Sequence, residues 1–371
     1  MTTALLLATS LLASPQAAPP AATEASPAAS PCVAATAECT EWVPDEPGVA
    51  RTLVYRTYPL DVRHEGITRA LVMVHGQGRD ADNYFRTSVA AAFLAGALGD
   101  TLVVSLRFAS SDGRCQDRLA DREVSWPCGG VSWRAGGAAV SVAGMTGPPG
   151  RVFSFPGGTP PPGTRPGSDY TSYDLADLVL RKLARKDIFP NLRAIVLAGH
   201  SAGGQFASRY AMSNVVHEAL GVPVTYVVAN PSSYGYPGPE RPSASVEGFG
   251  SYADGRNCTA YNRWPYGLEE RAGYAASVSD DQLTRQLVSR PVVYLLGELD
   301  TTPLAGFDAS CPAMAQGPNR LERGKSFAKY VNERLGARHV VAPVPLCGHN
   351  ARCMFTSEIA LPILFPAASS R

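Results

Sequence analysis

The chain has 371 residues, of which 45% are hydrophobic and only 18% charged, with a formal net charge of +1 at pH 7. That length and apolar content allow a sizeable core in one large domain or two ordinary ones. A near-neutral chain without a basic run or an acidic tail excludes nucleic acid and anionic membrane surfaces as main partners.

Residues 4–13 (ALLLATSLLA) form an apolar run of signal-peptide length, too short to span a bilayer, and small residues follow to Ala17 and Ala18. Residues 1–18 are read as an export signal, although the usual positive leading segment is missing. The stretch 19–50 reads as a linker: it is almost entirely Ala, Pro, Ser and Thr to residue 31, cannot bury a core, and then carries Cys32 and Cys39. No other stretch has the length and apolarity of a transmembrane helix, so no stable membrane insertion is expected. A secreted or periplasmic protein follows from this reading.

The remainder, 51–371, is expected to be a single domain. Residues 51–62 alternate apolar and polar side chains, as a half-exposed strand does. The runs 70–74 (ALVMV), 101–108 (TLVVSLRF), 193–198, 222–229 and 291–296 are continuously apolar, the mark of strands covered on both faces. Helical periodicity fills 82–98, 172–186 and 320–335, and a last strand is expected at 339–344. Strands alternating with helices predict an α/β fold with a mainly parallel sheet, whose ligands bind beyond the C-terminal strand ends. Two long segments interrupt the alternation. One, 109–169, is rich in Gly and Pro; the other, 231–290, carries seven tyrosines and tryptophans. Both are read as insertions near the active site that wall its mouth.

Eight cysteines in an exported chain point to disulfides, and spacing suggests that neighbours pair in order: Cys32–Cys39, Cys115–Cys128, Cys258–Cys311 and Cys347–Cys353. Eight cysteines allow 105 pairings, so the order of pairing is an expectation only. There is no Cys-x-x-Cys, no metal-ligand spacing and no phosphate-binding Gly-rich loop; neither metal nor cofactor is expected. Asn257-Cys258-Thr259 has the pattern of a glycosylation acceptor.

The most telling segment is 194–204. An apolar run ends in Gly199-His200-Ser201-Ala202-Gly203, and a helix-like stretch follows. With 35 Gly in the chain the pentapeptide alone is a weak signal. Strand before and helix after turn it into a nucleophile elbow, with Ser201 exposed at a strand end and the Ala202 amide facing a developing oxyanion. A serine needs a base. Of six histidines, His349 follows the last expected strand and is bracketed by Cys347 and Cys353. His200 is read as packing beside the elbow and His339 as structural. Asp300, after the strand 291–296, is the carboxylate expected to orient His349, with Glu298 and Asp308 as fallbacks. The loop His75-Gly76-Gln77-Gly78 follows the early buried strand, where a second oxyanion donor, Gln77 or Gly78, is expected.

The order His75-Gly-Gln-Gly, Gly199-His-Ser-Ala-Gly, Asp300, His349 resembles the α/β-hydrolase superfamily, esterases and lipases above all, over about 51–362. The stretch 173–214, with Phe189-Pro190-Asn191-Leu192, is similar to exported bacterial and fungal hydrolases. The resemblance implies Ser201 as nucleophile, His349 as base, Asp300 as acid, and the amides of Gln77 and Ala202 as oxyanion hole. Two departures leave substrate size open: there is no helical lid of lipase type, and the insertion after Phe108 is extra to the minimal fold. The expected activity is cleavage of a carboxylic ester, small or polymeric, through an acyl-enzyme. The same triad would also serve a peptidase, an amidase or a depolymerase of polyesters or polysaccharide esters. A hydrolase fold kept only as a binding module would lack a triad member, and all three are present in order.

Overall fold

The structure is a computed structural model, and it describes residues 1, 30–44, 46, 49–144, 169–243, 248–252, 257–303 and 306–367. The expected signal, most of the linker and the Gly/Pro-rich stretch 145–168 lie outside the described residues. Eight strands build one sheet: β1 (Thr40–Val43), β2 (Thr52–Arg56), β3 (Arg69–Val74), β4 (Thr101–Leu106), β5 (Ala194–His200), β6 (Val224–Ala229), β7 (Val292–Gly297) and β8 (Val340–Val344). Their order across the sheet is β1-β2-β4-β3-β5-β6-β7-β8. The strand β2 pairs antiparallel with β1 and β4, and the other pairings are parallel. This is the mainly parallel α/β sheet expected from the alternating pattern. It starts earlier than the pattern suggested, because β1 falls in the stretch read as linker.

The continuous apolar runs follow from burial on both faces. Ala70, Val72 and Val74 of β3 join one core layer, while Leu71 and Met73 join the other. Ile195 and Leu197 of β5 are likewise split from Val196 and Ala198. A one-residue slip would exchange the two sets, so the register is fixed by packing on both sides. The first layer lies under α2 (Ser172–Leu183), α3 (Ala202–Ser213), α4 (Asp280–Ser289) and the later α6 (Arg320–Lys329). The second lies under α1 (Ala81–Leu94), α7 (Ala351–Phe355) and α8 (Leu361–Leu364). The short α5 (Cys311–Met314) completes the set.

Helix α2 begins at a capping box: the Thr171 hydroxyl accepts from the Asp174 amide, and the Asp174 carboxylate accepts from the Thr171 amide at 2.8 Å. All twelve residues of α3 are buried, since this helix follows the elbow straight across the sheet.

Two expectations need correction. The segment 231–290 is not one long loop: it contains α4, whose polar sequence masked the helical period, and its Tyr234, Tyr236, Trp264 and Tyr274 are buried in the core. The helix expected over 320–335 is α-helical only to Lys329 and continues as a π turn, Tyr330–Arg334. The four disulfides pair neighbours in sequence order: Cys32–Cys39, Cys115–Cys128, Cys258–Cys311 and Cys347–Cys353. Among the described residues no helix is long and apolar enough to cross a membrane.

Candidate active site

Strand β5 runs into the elbow with Ser201 at φ 59°, ψ −117°, a strained conformation for a residue with a side chain. Neighbouring glycines make the turn possible. A Cβ on Gly199 would stand 2.2 Å from the Gly203 carbonyl oxygen, and one on Gly203 would stand 2.2 Å from that of Val74. The second contact lets the start of α3 press against the end of β3, which brings Ser201 beside the loop His75–Gly78. A Cβ on Gly76 would lie 3.8 Å from that of Ser201. Ala202 is the first residue of α3, where a helix N–H has no intrahelical acceptor. Gly203→Ala is expected to cost about 3 kcal/mol or more, because a backbone oxygen cannot yield as a side chain does. Thermal unfolding of the variant, with Ser201 labelling by a fluorophosphonate as a second readout, checks this: an unchanged Tm would mean that the elbow relaxes freely.

His349 lies beyond β8 and reaches Ser201. Its Nε2 is 2.9 Å from Ser201 Oγ, and its Nδ1 is 2.7 Å from Asp300 Oδ2. Three side chains far apart in sequence thus form one hydrogen-bonded line. Asp300 is 2% exposed and lies 3.7 Å from the buried Arg320 guanidinium, which also donates through Nε to Ser232 Oγ at 2.9 Å. The fallback carboxylates are elsewhere. Glu298 is exposed, and Asp308 accepts from the Tyr266 hydroxyl at 2.8 Å.

The two loops that carry Asp300 and His349 are tied together. Asn230, at the end of β6, accepts from the Gly297 amide at 2.9 Å and donates to the Gly348 carbonyl at 3.3 Å. The Leu299 amide donates to the Cys347 carbonyl at 2.9 Å. The Cys347–Cys353 bridge closes the His349 loop, and Asn350 caps α7 by accepting from the Cys353 amide at 2.9 Å. Sequence reading missed Arg320, Ser232 and Asn230. Only a buried arginine opening a helix, or a polar residue ending an apolar strand, hinted at them.

The other wall is anchored by His75, which is fully buried. Its Nε2 accepts from the Phe108 amide at 3.0 Å, so Nδ1 carries the proton and donates to the Gly76 carbonyl at 2.8 Å. Burial pushes this imidazole down to about 4. Arg79 ties the same loop to the carbonyls of Phe108 and Pro127, the second at 2.9 Å. Gln77 accepts from Arg134 at 2.8 Å through its side chain. His200 packs its ring 4.5 Å from that of His349 and meets the Tyr84 hydroxyl at 3.1 Å through Nδ1. Burial, and then the nearby His349, hold His200 well below the usual imidazole range.

Both buried imidazoles give a pH dependence. Each is neutral in the fold but free to protonate near 6.5 once unfolded. Below that value the unfolded chain binds more protons, so their contribution is complete above about pH 6.5 and is lost as pH falls. Asp177 acts oppositely. It is buried, accepts from the hydroxyls of Tyr210 at 2.6 Å and Tyr274 at 2.7 Å, and is raised to about 7 by burial. Its contribution is lost as pH rises through 7. Two rings outweigh one carboxyl, so Tm should fall from pH 6.5 toward 4; a scan in which Tm rises on acidification would refute this balance.

Ser201, His200 and His349 open on a cleft of about 900 Å³ whose wall includes Gly76, Gln77 and Gly78. Neither long segment lines it among the described residues, contrary to expectation. They support it instead: Trp133 and Arg134 of the first pack against His75 and Gln77, and Ser232 of the second holds Arg320. No group of three or more His, Cys, Asp or Glu side chains suited to a metal ion occurs among the described residues.

Strand order, elbow and helical layers together define the α/β-hydrolase fold, which this chain has. Solved structures agree. The chain is similar to the poly(3-hydroxybutyrate) depolymerase LpqC of Bordetella parapertussis, at 20% identity over 88% of this chain and 87% of that one, with a TM-score of 0.54. It is also similar to poly(aspartic acid) hydrolase-1 of Sphingomonas sp. KT-1, at 22% identity over 85% and 94% of the two chains, with a TM-score of 0.53. No protein-family model and no curated protein matches the sequence.

Proposed function

We propose that this chain is an exported serine hydrolase that cleaves a carboxylic ester through an acyl-enzyme. The observation that carries this reading is the hydrogen-bonded line from Ser201 Oγ through His349 to the buried Asp300, at the floor of an open cleft. Ser201 attacks the carbonyl carbon while His349 Nε2 takes its proton. The amides of Ala202 and Gln77, or of Gly78, receive the oxyanion. His349 then protonates the leaving alcohol, and a water it deprotonates releases the acid. Asp300 holds the imidazole in the tautomer with its proton on Nδ1 and stabilises the imidazolium. Four disulfides and the apolar N-terminal run support export to an oxidising compartment.

The test is a fluorophosphonate adduct mapped by mass spectrometry, run beside a panel of nitrophenyl esters. Labelling at Ser201 with ester turnover is the expected result. Labelling without turnover would favour an amide or a polymer, which the depolymerase and poly(aspartic acid) hydrolase among the structural neighbours keep in the panel. No labelling would overturn the reading in favour of a binding module.

A further inference from the structure

We propose that Arg320 is a positioning residue for Asp300 and acts through one buried water molecule held between them; this rests on the reading of Ser201, His349 and Asp300 as a triad. Asp300 gives Oδ2 to His349 Nδ1 at 2.7 Å. Its other oxygen, Oδ1, is buried and has no hydrogen-bond partner among the described residues. Arg320 Nη1 stands 3.7 Å from it, beyond hydrogen-bond reach. Nη1 and Nη2 of this guanidinium are buried and without a partner as well. One acceptor and two donor nitrogens thus face each other across a gap.

The chain treats its other buried arginines differently. Every guanidinium nitrogen of Arg209, Arg290 and Arg323 meets an acceptor. Arg79 and Arg241 leave only Nε without one. Among the described buried arginines, Arg320 alone has both terminal nitrogens unused, and it is the one beside the triad carboxylate. The fold keeps it there. Its Nε donates to Ser232 Oγ at 2.9 Å, and its guanidinium lies 5.2 Å from the centre of the Phe307 ring. The Leu321 amide donates to the Asp300 carbonyl at 3.3 Å, which fixes the start of α6 against the Asp300 loop. Buried donors and acceptors left unpaired are costly, and a water accepts from the guanidinium while donating to Oδ1. An anion would be repelled by the carboxylate and a cation by the guanidinium. With the two side chains 0% and 1% exposed, a single water is the neutral molecule small enough to be enclosed.

The bridge has a consequence for the reaction. The last torsion of an aspartate is broad, so a carboxylate held at one oxygen can turn, and the imidazole it orients turns with it. Held at both oxygens, the carboxylate keeps its plane, and His349 Nε2 stays aimed at Ser201 Oγ.

The test uses the full chain with its disulfides intact, with rates expressed per Ser201 titrated by a fluorophosphonate, so that misfolded protein does not count. Arg320→Lys keeps the charge, but one ammonium cannot replace a planar fork anchored on Ser232. Its kcat should fall about tenfold, the value of one charge-assisted hydrogen bond, with KM little changed. The low-field proton NMR signal of His349 Nδ1–H should broaden in the same variant. A crystal structure of the parent chain should show a water within about 3.2 Å of both Oδ1 and a terminal nitrogen of Arg320. A direct contact between guanidinium and Oδ1, with no water, overturns the bridge. Parent kcat per titrated site in Arg320→Lys, whatever its Tm, overturns the positioning role. Either result leaves the triad reading standing if the parent chain labels and turns over ester. A parent chain that does neither removes that reading, and this proposal with it.

Discussion

Ser201→Ala is expected to lower kcat for ester hydrolysis by roughly 10⁶-fold and to abolish fluorophosphonate labelling. The substitution removes one contact, the 2.9 Å hydrogen bond to His349 Nε2, and leaves the buried surroundings of the elbow in place. Stability should therefore change by no more than about 1 kcal/mol, and Tm should stay near that of the parent chain. His349→Ala should cost about as much, and the double variant little more, because nucleophile and base act as one unit. Initial rates on nitrophenyl esters measure all three. A Ser201→Ala protein that keeps a tenth of the parent activity would exclude the acyl-enzyme route.

Asp300→Asn is expected to show two separate losses. An amide in place of the carboxylate no longer accepts the Nδ1 proton of His349 as an anion does, and kcat should fall by about 10⁴-fold. Stability should fall as well. Arg320 is buried 3.7 Å from Asp300, and removing the negative partner leaves an uncompensated guanidinium in the interior. Breaking such a pair costs roughly 3–5 kcal/mol. Adding Arg320→Gln should restore most of the Tm but none of the kcat. That split, read by thermal unfolding and by rates on the same preparations, separates the orienting role of Asp300 from its place in the interior. If the single variant unfolds at the parent temperature, Arg320 does not depend on Asp300 for its charge balance.

Much of the sheet was legible because buried parallel strands leave a simple trace. Runs such as 70–74 and 101–108 are apolar throughout, since helices cover both faces, and they mark β3 and β4 almost to the residue. The elbow was legible for a different reason: a turn in which Gly199 and Gly203 each meet a backbone oxygen admits no other residue there. Helix α4 was not legible. Its apolar positions are few, Leu283 and Leu287 among polar neighbours, and a long aromatic segment precedes it. Tyr and Trp in that segment suit a binding surface or core packing alike, and packing is the role the sequence favours. Tyr234 stacks on Phe327 of α6 in the core and Tyr236 meets the same ring edge-on, contacts whose partners composition does not encode.

The sequence by itself determined most of the strand and helix pattern, the elbow, and the order of Ser201, Asp300 and His349, since each depends on local spacing or local sterics. Tertiary structure alone decided how Asp300, the carboxylate favoured by chain order, meets His349. The Asn230 bridge and the closeness of the two loops place Asp300 Oδ2 at 2.7 Å. It also decided the chemistry of the cleft. Asp80, Asn83 and Thr87 of one helix face Asn350, Arg352 and Thr356 of another only because β3 and β8 carry α1 and α7 to the same end of the sheet. Contacts between residues so distant along the chain arise from packing of the whole sheet, and no local pattern records them.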